Sequence, residues 1–358
     1  MELAGMQESP LAKDTASMRQ AVIRGPKTFE VEVVPRPALQ SGAELLLRTA
    51  ACGICSGDLM AWYLERKVNT VLGHEVVGYA DEVGPDLEHV KPGQLVFVHH
   101  HAPCMECRYC RAGDPVHCAS WRRSKLDPGG MAEYIRVPAI NARQDSFAID
   151  DLTPEVGALI EPLACSVKAL ARLGERVPAH AVVVGCGVMG LLNIAAAKAA
   201  GSSEVWAVEP DAERREYARR FGAERVFTPW ELEDETRKQG FEGADYVIVG
   251  PGSPEVIVQS LGYVRNGGTV VLFTPTPSVP TALDFCDLYF REISLVPSYS
   301  CGPQDTRRAY ELLRTGAVDV SPLITHRFPI DEIQRAYNTA KSGGDVLKVL
   351  VVFGDGSA

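Results

Sequence analysis

Long apolar segments and an excess of basic charge are both missing from this chain of 358 residues. No run reaches the roughly 18 to 20 apolar residues that a membrane-spanning helix needs, and residues 1–20 lack a signal-peptide core. The 36 lysines and arginines are outnumbered by 46 aspartates and glutamates, which makes the formal net charge −10. Because a polyanion partner usually requires a basic face, we expect a cytoplasmic protein that binds neither a membrane nor a nucleic acid.

The length and composition are those of a folded protein with more than one domain. Hydrophobic residues make up 46% of the chain and charged residues 23%, as in ordinary globular proteins. A chain of this length exceeds one compact core, which predicts two domains. The first seventeen or so residues are polar and aperiodic, and we expect them to form a loose extension before a strand that begins near Arg19.

The first part of the chain has the pattern of a β-rich domain. Short β-type runs are broken by Gly and Pro from about residue 20 to 150, which predicts a barrel-like arrangement. These runs cover residues 31–34, 44–48, 76–80 and 94–98. An apolar helix is then predicted over 155–170, after Thr153 and a Pro at a first-turn position.

Strands and helices alternate in the second part. Strands are predicted over residues 181–184, 205–208, 246–249 and 269–273, with helices over 189–200 and 212–221. This alternation is typical of a parallel, doubly wound sheet. After about residue 295 the chain reads as a helix, a loop and a final strand over 347–353, which we expect to return to the first domain.

Four cysteines with the spacing C-x2-C-x2-C-x7-C lie in one short segment: Cys104, Cys107, Cys110 and Cys118. Two-residue gaps let thiolates converge on one ion, and four sulfurs complete a tetrahedral zinc site with no open position. A bacterial iron–sulfur cluster also uses such gaps, but its run ends x3-Cys-Pro and this one does not. The segment therefore predicts a structural zinc ion. A disulfide framework is typical of short secreted domains instead.

A second set of metal-ligating residue types is spread along the chain. Cys55 and His74 are the first candidates, and a catalytic zinc needs three protein ligands and one open position. Adjacent residues of an extended segment point to opposite faces, so His74 and Glu75 share an ion only if the backbone bends. We therefore favour Glu161 as third ligand or water-holder, with Glu75 next. Cys165, one helical turn after Glu161, is expected to be an ordinary buried cysteine that could also face this site.

A glycine-rich loop follows the predicted strand over 181–184 and opens a helix, as the G-x-G-x-x-G pattern for dinucleotides requires. Its backbone would bind a pyrophosphate at the helix N-terminus, where the helix dipole favours an anion. The residues concerned are Gly185, Gly187, Val188, Met189 and Gly190. Glu209 ends the next strand, where an acidic group bonds both ribose hydroxyls and repels a 2′-phosphate, which predicts NAD over NADP. Arg214 and Arg215 could instead accommodate that phosphate.

Together these motifs make the sequence resemble a zinc-containing medium-chain dehydrogenase/reductase of the alcohol dehydrogenase superfamily, close to its sorbitol and threonine dehydrogenase branch. The resemblance runs from about residue 20 to 353. It is carried by residues 53–58, 73–78, 158–163 and 322–329, besides the cysteine segment and the glycine loop. It implies an α/β protein with a β-rich GroES-like catalytic domain over 18–158 and 297–358. A Rossmann NAD-binding domain with a doubly wound parallel sheet would cover 159–296.

The same resemblance implies roles for individual residues. Cys55 and His74 match catalytic-zinc ligands, and Glu75 and Glu161 match carboxylates that bind the metal or its water. Asp58 matches an aspartate that supports the zinc-ligand loop. His101 resembles a histidine near the substrate. Glu209 and Arg214 match residues that hold the adenosine ribose.

Two departures from the family pattern bear on chemistry. Glu161 replaces the second cysteine of the alcohol-dehydrogenase branch, which points toward polyol-type relatives. The family's proton relay, a Ser or Thr two positions after the ligand cysteine, is replaced by Gly57, and the adjacent Ser56 would normally point elsewhere. A zinc-bound water held by Glu161, or His101, is then expected to carry the proton.

These features predict a zinc-dependent, NAD-linked dehydrogenase that interconverts a secondary alcohol and its ketone, the alcohol being a polyol, a sugar or an inositol-like compound. A threonine-type amino-alcohol dehydrogenase is the alternative within the branch. A zinc-free NADPH quinone or enone reductase and a non-enzymatic NAD-binding redox sensor are the alternatives outside it. Relatives pair through the last strands of the cofactor domain, about residues 292–299 here, which predicts a homodimer or homotetramer.

Overall fold

The computed structural model describes residues 17–25, 28–174, 179–238 and 240–354. Most of the predicted N-terminal extension therefore lies outside the described residues. Within them, no helix is both long enough and apolar enough to cross a membrane. The chain folds into two large sheets and a separate two-stranded ribbon.

The first part of the chain is rich in short strands. Its strands are β1 (Ser17–Gly25), β2 (Thr28–Pro35), β3 (Leu45–Gly53), β4 (Glu75–Val83), β5 (Leu95–His99), β6 (Tyr134–Val137) and β7 (Ser146–Ala148). Its helices are α1 (Ala61–Leu64), α2 (Arg108–Arg111), α3 (Ala119–Arg123), α4 (Ala139–Gln144) and α5 (Pro154–Gly157), with 3-10 turns at Gly57–Leu59, Glu65–Lys67 and Pro115–His117. β1 and β2 form the ribbon, whereas β3, β4, β5 and β7 are antiparallel neighbours in the first large sheet.

The second part alternates strands and helices. Its strands are β8 (His180–Val184), β9 (Glu204–Val208), β10 (Arg225–Phe227), β11 (Ala244–Val249), β12 (Val264–Leu272) and β13 (Ser294–Pro297). Its helices are α6 (Ile160–Ala171), α7 (Val188–Ala199), α8 (Ala212–Arg220), α9 (Pro229–Thr236), α10 (Pro254–Ser260) and α11 (Phe285–Phe290). The strands form one parallel sheet in the order β10-β9-β8-β11-β12-β13, which confirms the predicted doubly wound sheet.

The apolar runs explain why this sheet is parallel and buried. Residues 182–184, 205–208 and 247–249 are continuous hydrophobic runs that are buried on both faces, as helix-covered parallel strands are. The strand order reverses between β8 and β11, and ligands of such sheets bind outside the carboxyl ends of the strands at that reversal. The glycine loop follows β8 directly, so it lies at this point.

The last part of the chain adds α12 (Pro303–Arg314), β14 (Ile324–Pro329), α13 (Ile333–Ser342) and β15 (Lys348–Val352), with 3-10 turns at Ser321–Leu323 and Ile330–Glu332. β15 pairs antiparallel with β3, and Leu350 lies opposite Gly53. The final strand therefore returns to the first sheet, next to the strand that leads to Cys55. The exact domain limits, 18–158 with 297–358 and 159–296, stay a prediction.

One predicted helix is two helices in the structure. The pattern over 155–170 predicted a single helix, but α5 ends at Gly157 and α6 begins at Ile160. Pro162 is the third residue of α6 and has no N–H to donate to the carbonyl of Ala158, so the helix must restart there. The three-residue strand β10 is too short for a sequence pattern to reveal, and it was not predicted.

Candidate metal and dinucleotide site

The four-cysteine segment folds into a compact lobe around α2 and α3. All four Sγ atoms lie within 4.8 Å of one another. Cys107 and Cys110 are 3.6 Å apart, and Cys104 and Cys118 are 3.5 Å apart. Sulfurs bound to one tetrahedral zinc at about 2.3 Å are about 3.8 Å apart. The lobe therefore fits a zinc ion, and all four positions around it would be filled by protein.

A second group is assembled at one end of the first sheet. Cys55 follows the end of β3, and His74 immediately precedes β4. Because these strands are antiparallel neighbours with Gly53 opposite Glu75, the two segments meet at the same edge. The thiol of Cys55, the imidazole of His74 and the carboxylate of Glu75 come within 4.8 Å of one another. One thiolate, one imidazole and one carboxylate are suitable ligands for a catalytic zinc.

Gly53 and Lys348 hold the carboxylate of Glu75 in that position. A Cβ atom at Gly53 would lie 1.9 Å from Glu75 Oε2, so only glycine leaves room for it. Lys348 forms a buried ion pair with Glu75 and donates a hydrogen bond to the carbonyl of Ile54 at 3.2 Å. No sequence motif indicated Lys348, because it lies on β15 at the far end of the chain.

The imidazole of His74 is oriented by Asp58. His74 Nδ1 lies 3.4 Å from Asp58 Oδ2, and Asp58 is buried. This contact leaves the other ring nitrogen for a metal, as in carboxylate–histidine–zinc arrangements. Burial alone would lower the pKa of His74, but Asp58, Cys55 and Glu161 together raise it well above its ordinary value. The negative groups that stabilise a charged imidazole would also attract a divalent cation.

Glu161 lies next to this group without joining it. Its carboxylate comes within 4.8 Å of His99 and His100, and separately of Cys165 and Cys301. We favoured Glu161 over Glu75 as the third ligand, whereas the geometry places Glu75 with Cys55 and His74. His74 lies just outside β4, after Gly73 with φ of +95°, so it is not part of the regular strand from which the expectation was argued.

Three consecutive histidines lie at the end of β5. His99 is the last residue of the strand, and His100 and His101 follow it. The ring of His100 lies 4.9 Å from that of His74 and 4.3 Å from that of His101. His101 Nδ1 donates to the carbonyl of Ser124 at 2.5 Å, and its ring contacts Trp121. Burial lowers the pKa of His101 to about 4. His101 is therefore uncharged at neutral pH, and its Nε2 is left as an acceptor.

The glycine loop has the geometry that a pyrophosphate needs. Gly185 takes φ of +87°, which favours glycine, and a Cβ at Gly190 would lie 1.8 Å from the carbonyl oxygen of Gly185. Gly187 precedes α7, and no side chain caps the first turn, which contains Val188 and Met189. The backbone amides at this helix end are the groups that bind phosphates in dinucleotide sites.

Glu209 reaches back to the same loop. Its carboxylate accepts hydrogen bonds from the backbone N–H of Cys186 at 2.6 Å and of Asp211 at 3.0 Å. Arg215 donates to the carbonyl of Glu209 at 2.9 Å, whereas Arg214 donates to the carbonyl of Gly344 at 3.4 Å. The acidic group therefore lies beside the loop, and both arginines already have backbone acceptors.

A cavity of about 180 Å³ connects the two sets of residues. Ser56 and Glu75 line it on the side of the Cys55 group, and Gly187, Met189 and Arg214 line it on the side of the glycine loop. Glu75 of the metal-ligating group and the dinucleotide loop, which are far apart in sequence, therefore line one cavity.

Comparisons with known proteins show what the chain is similar to. A family model for the alcohol dehydrogenase GroES-like domain matches residues 41–144, and one for zinc-binding dehydrogenases matches 188–315. The L-threonine 3-dehydrogenase of Bacillus subtilis is 31% identical over 87% of this chain and 91% of its own length. The sorbitol dehydrogenase of Ovis aries is 29% identical over 95% of this chain and 98% of its own length.

A solved structure extends the likeness to the whole fold. A zinc-binding dehydrogenase from Sinorhizobium meliloti 1021, crystallised with NADP, superposes with a TM-score of 0.84 at 28% identity, covering 95% of this chain and 100% of that one. The predicted combination of a GroES-like and a Rossmann-type domain is confirmed. The chain is an oxidoreductase of the zinc-dependent alcohol dehydrogenase type, and it belongs to the zinc-containing medium-chain dehydrogenase/reductase superfamily.

Proposed function

We propose that this oxidoreductase transfers hydride between a secondary alcohol and NAD, using a zinc ion held by Cys55, His74 and Glu75. The observation that carries the proposal is the shared cavity, which Glu75 and the glycine loop both line. When bound, zinc supplies a Lewis acid that lowers the pKa of an alcohol, and nicotinamide accepts the hydride. Glu161 stays a candidate for holding a water at this site.

The protein's own groups prepare the site for that chemistry. Asp58 fixes the ring of His74, and Lys348 offsets the charge of Glu75. Gly57 offers no hydroxyl for a proton relay, but Ser56 lines the cavity. A water held by Glu161 is the group we propose to receive the alcohol proton, with His101 as the alternative, because the lowered pKa of His101 makes it the weaker proton acceptor. Burial raises the pKa of Glu161, which favours its protonated form more than usual.

We base the proposed substrate class on the two relatives named above. Sorbitol and L-threonine both carry a polar substituent next to a secondary alcohol, and the names of relatives at about 30% identity include both. We propose a polyol, sugar or inositol-like alcohol, with an amino alcohol such as threonine as second candidate. The Cys55 group and the complete four-cysteine lobe weigh against a zinc-free quinone or enone reductase, and we propose a second, structural zinc in that lobe.

An activity screen tests this function. The purified, zinc-loaded protein is assayed for NADH formation with hexitols, inositols, sugars and L-threonine. It is also assayed for NADPH oxidation with quinones and enones. We expect NAD reduction with at least one polyol or amino alcohol, abolished by a chelator that removes the accessible ion. Quinone or enone reduction that a chelator leaves unchanged would instead support the zinc-free reductase.

The preference for NAD is predicted to depend on Glu209. Glu209→Gln keeps an acceptor for the amide of Cys186 but removes the charge that repels a 2′-phosphate. A hydrogen bond to a charged group contributes about 1.5–3 kcal/mol. We therefore expect kcat/KM for NADP relative to NAD to rise roughly tenfold or more. Glu213→Gln, at an exposed position on the following helix α8, is the matched control, and an unchanged ratio in Glu209→Gln would place the selectivity elsewhere.

We also propose a homodimer, or a tetramer built from dimers, that pairs through β13. This strand is the last in the order of the parallel sheet, and α11 beside it exposes Phe285, Tyr289 and Phe290 by 73 to 78%. Exposed aromatic groups next to a sheet edge are typical of a subunit interface. Light scattering of the purified protein checks this, and a monomer at micromolar concentration would contradict it.

A further inference from the structure

A second cavity lies between α6, α7 and α12, outside the site described above. Its volume is about 210 Å³, and it shares no lining residue with the cavity beside the glycine loop. The two cavities lie at opposite ends of α7, which are roughly 15 Å apart because an α-helix rises about 1.5 Å per residue. We call this cavity the α7 cleft, and its walls include Leu170, Ala196, Ala199, Tyr246, Arg308 and Leu312.

The sequence of α7 explains why space is left here. At its end, Ala196, Ala199 and Ala200 follow one another at spacings of three and four residues, so they share one face of the helix. Alanine has no atoms beyond Cβ, and α6 packs against both α7 and α12. The opposite walls are formed by larger apolar side chains, including Leu170 and Leu312. The walls of the cleft are therefore mainly apolar.

The polar groups of the cleft differ in what they already bind. Tyr246 is buried, and its hydroxyl shares a hydrogen bond with Ser202 Oγ at 3.2 Å. Arg308 on α12 is exposed and has neither a hydrogen bond nor an ion pair with any other described residue. Glu311, one turn further along α12, attracts Arg308 but accepts its hydrogen bonds from Arg314. The guanidinium of Arg308 is therefore available to an acceptor from outside the chain.

The helix ends that border the cleft do not cancel this positive charge. α6 and α7 both end here, and a helix C-terminus opposes an anion through its unsatisfied carbonyl groups. In α6 the carbonyl of Ala171 accepts from the N–H of Gly174 at 3.2 Å, and in α7 the carbonyl of Lys198 accepts from Gly201 at 3.0 Å. The two glycines take φ of +83° and +99°, as in helix-ending turns. Arg308 is then the charged side chain that lines the described part of the cleft.

We propose that the α7 cleft binds a monocarboxylate with a small apolar body. An apolar cavity of about 150 Å³ holds benzene, so the α7 cleft has room for about six to eight carbon atoms. The apolar body would lie against Leu170, Ala196 and Ala199. The carboxylate would pair with Arg308, because a planar guanidinium matches both carboxylate oxygens. This binding does not depend on the proposed dehydrogenase function.

Octanoate is the probe, and isothermal titration calorimetry with the whole chain is the measurement. We expect a Kd below about 1 mM. Octan-1-ol has the same apolar body without the charge, and it should bind at least about tenfold more weakly. Arg308→Gln should raise the Kd for octanoate by at least about tenfold and leave the Kd for octan-1-ol unchanged. Arg314→Gln, on the same helix but outside the lining of the cleft, is the matched control and should change neither.

Further variants establish where the probe binds. Ala199→Trp fills the cleft and should remove the binding of both compounds, with circular dichroism to confirm the fold. Ala200→Leu, at an exposed position, is the milder change and should weaken both. Cys55→Ser should bind octanoate like the parent chain, which separates the cleft from a carboxylate bound to a metal ion in the Cys55 group. None of these measurements uses alcohol turnover, so a failed activity screen would not affect them.

Several outcomes would overturn the proposal. Octanoate that gives no heat of binding with the parent chain is the first. Parent-like binding of octanoate in Arg308→Gln would remove the recognition of the carboxylate, and parent-like binding in both Ala199→Trp and Ala200→Leu would place the probe elsewhere. Loss of octanoate binding in Cys55→Ser would assign it to the Cys55 group. A change of oligomeric state in Ala199→Trp, seen by light scattering, would show that a second copy of the chain covers the cleft.

Discussion

Cys55→Ser is expected to lower turnover by more than about 100-fold and to remove one zinc ion per chain. Cys55 is the only sulfur in its group with His74 and Glu75, and a serine hydroxyl is a much poorer ligand for zinc than a thiolate. Changing a residue that merely supports a ligand already costs about 10–100-fold in metal affinity or activity, so a ligand itself should cost more. The measurements are kcat with the best alcohol from the screen and the zinc content.

The binding of NAD should be nearly unaffected in the same variant. The glycine loop and Glu209 follow strands of the parallel sheet, whereas Cys55 follows β3 of the other large sheet. The Kd for NADH, followed by fluorescence, is therefore expected to change by no more than about twofold, which is well under 1.4 kcal/mol. Cys286→Ser, at an exposed cysteine, controls for thiol loss. Full turnover in Cys55→Ser would refute a catalytic role for zinc at this position.

The second large effect concerns the four-cysteine lobe. Cys110→Ser is expected to release the ion of that lobe and to open residues 104–118 to proteases. The buried apolar core of the lobe is limited to Val116, Cys118 and Trp121, which is too little to fold it alone. Structural zinc in small peptides binds with about 10–16 kcal/mol, as much as the whole stability of a typical domain.

Limited proteolysis, zinc content and thermal melting measure this loss. We expect cleavage within the lobe and a melting temperature lower by several degrees, whereas the parallel sheet stays folded because the lobe contributes no strand to it. Arg111→Ala, an exposed non-ligand in the same lobe, should keep its zinc and its protease resistance. A Cys110→Ser chain that retains all its zinc and melts like the parent would contradict a metal in the lobe.

The sequence was most informative where the interacting residues are close together in the chain. The cysteines of the lobe lie within fifteen positions, and the glycine loop follows its strand directly, so their spacing alone predicted both. Glu209 was found because one strand–helix–strand unit fixes its distance from Gly190. The parallel sheet was likewise predictable, since its buried strands are continuous apolar runs.

The remaining features depend on backbone turns and long-range pairing that no local pattern encodes. Glu75 and His74 lie in one group with Cys55, which reasoning from an extended strand disfavoured. The ion pair between Glu75 and Lys348 and the contact of His99 with Cys301 join distant segments, and Asp145 supports His99 from another helix end. These contacts exist only in the folded chain, where the distant segments lie side by side.

The pairing of β15 with β3 sets an order of events during synthesis. Lys348 is 294 positions beyond Ile54, to whose carbonyl it donates, so the ribosome releases Cys55, His74 and Glu75 long before their cationic neighbour. Until then, no lysine offsets the negative charge of the Glu75 carboxylate, and β3 is not yet paired with β15 along one edge. A nascent chain whose cysteine lobe is already synthesised still lacks the complete surroundings of Cys55, His74 and Glu75, which form only after β15 has paired with β3.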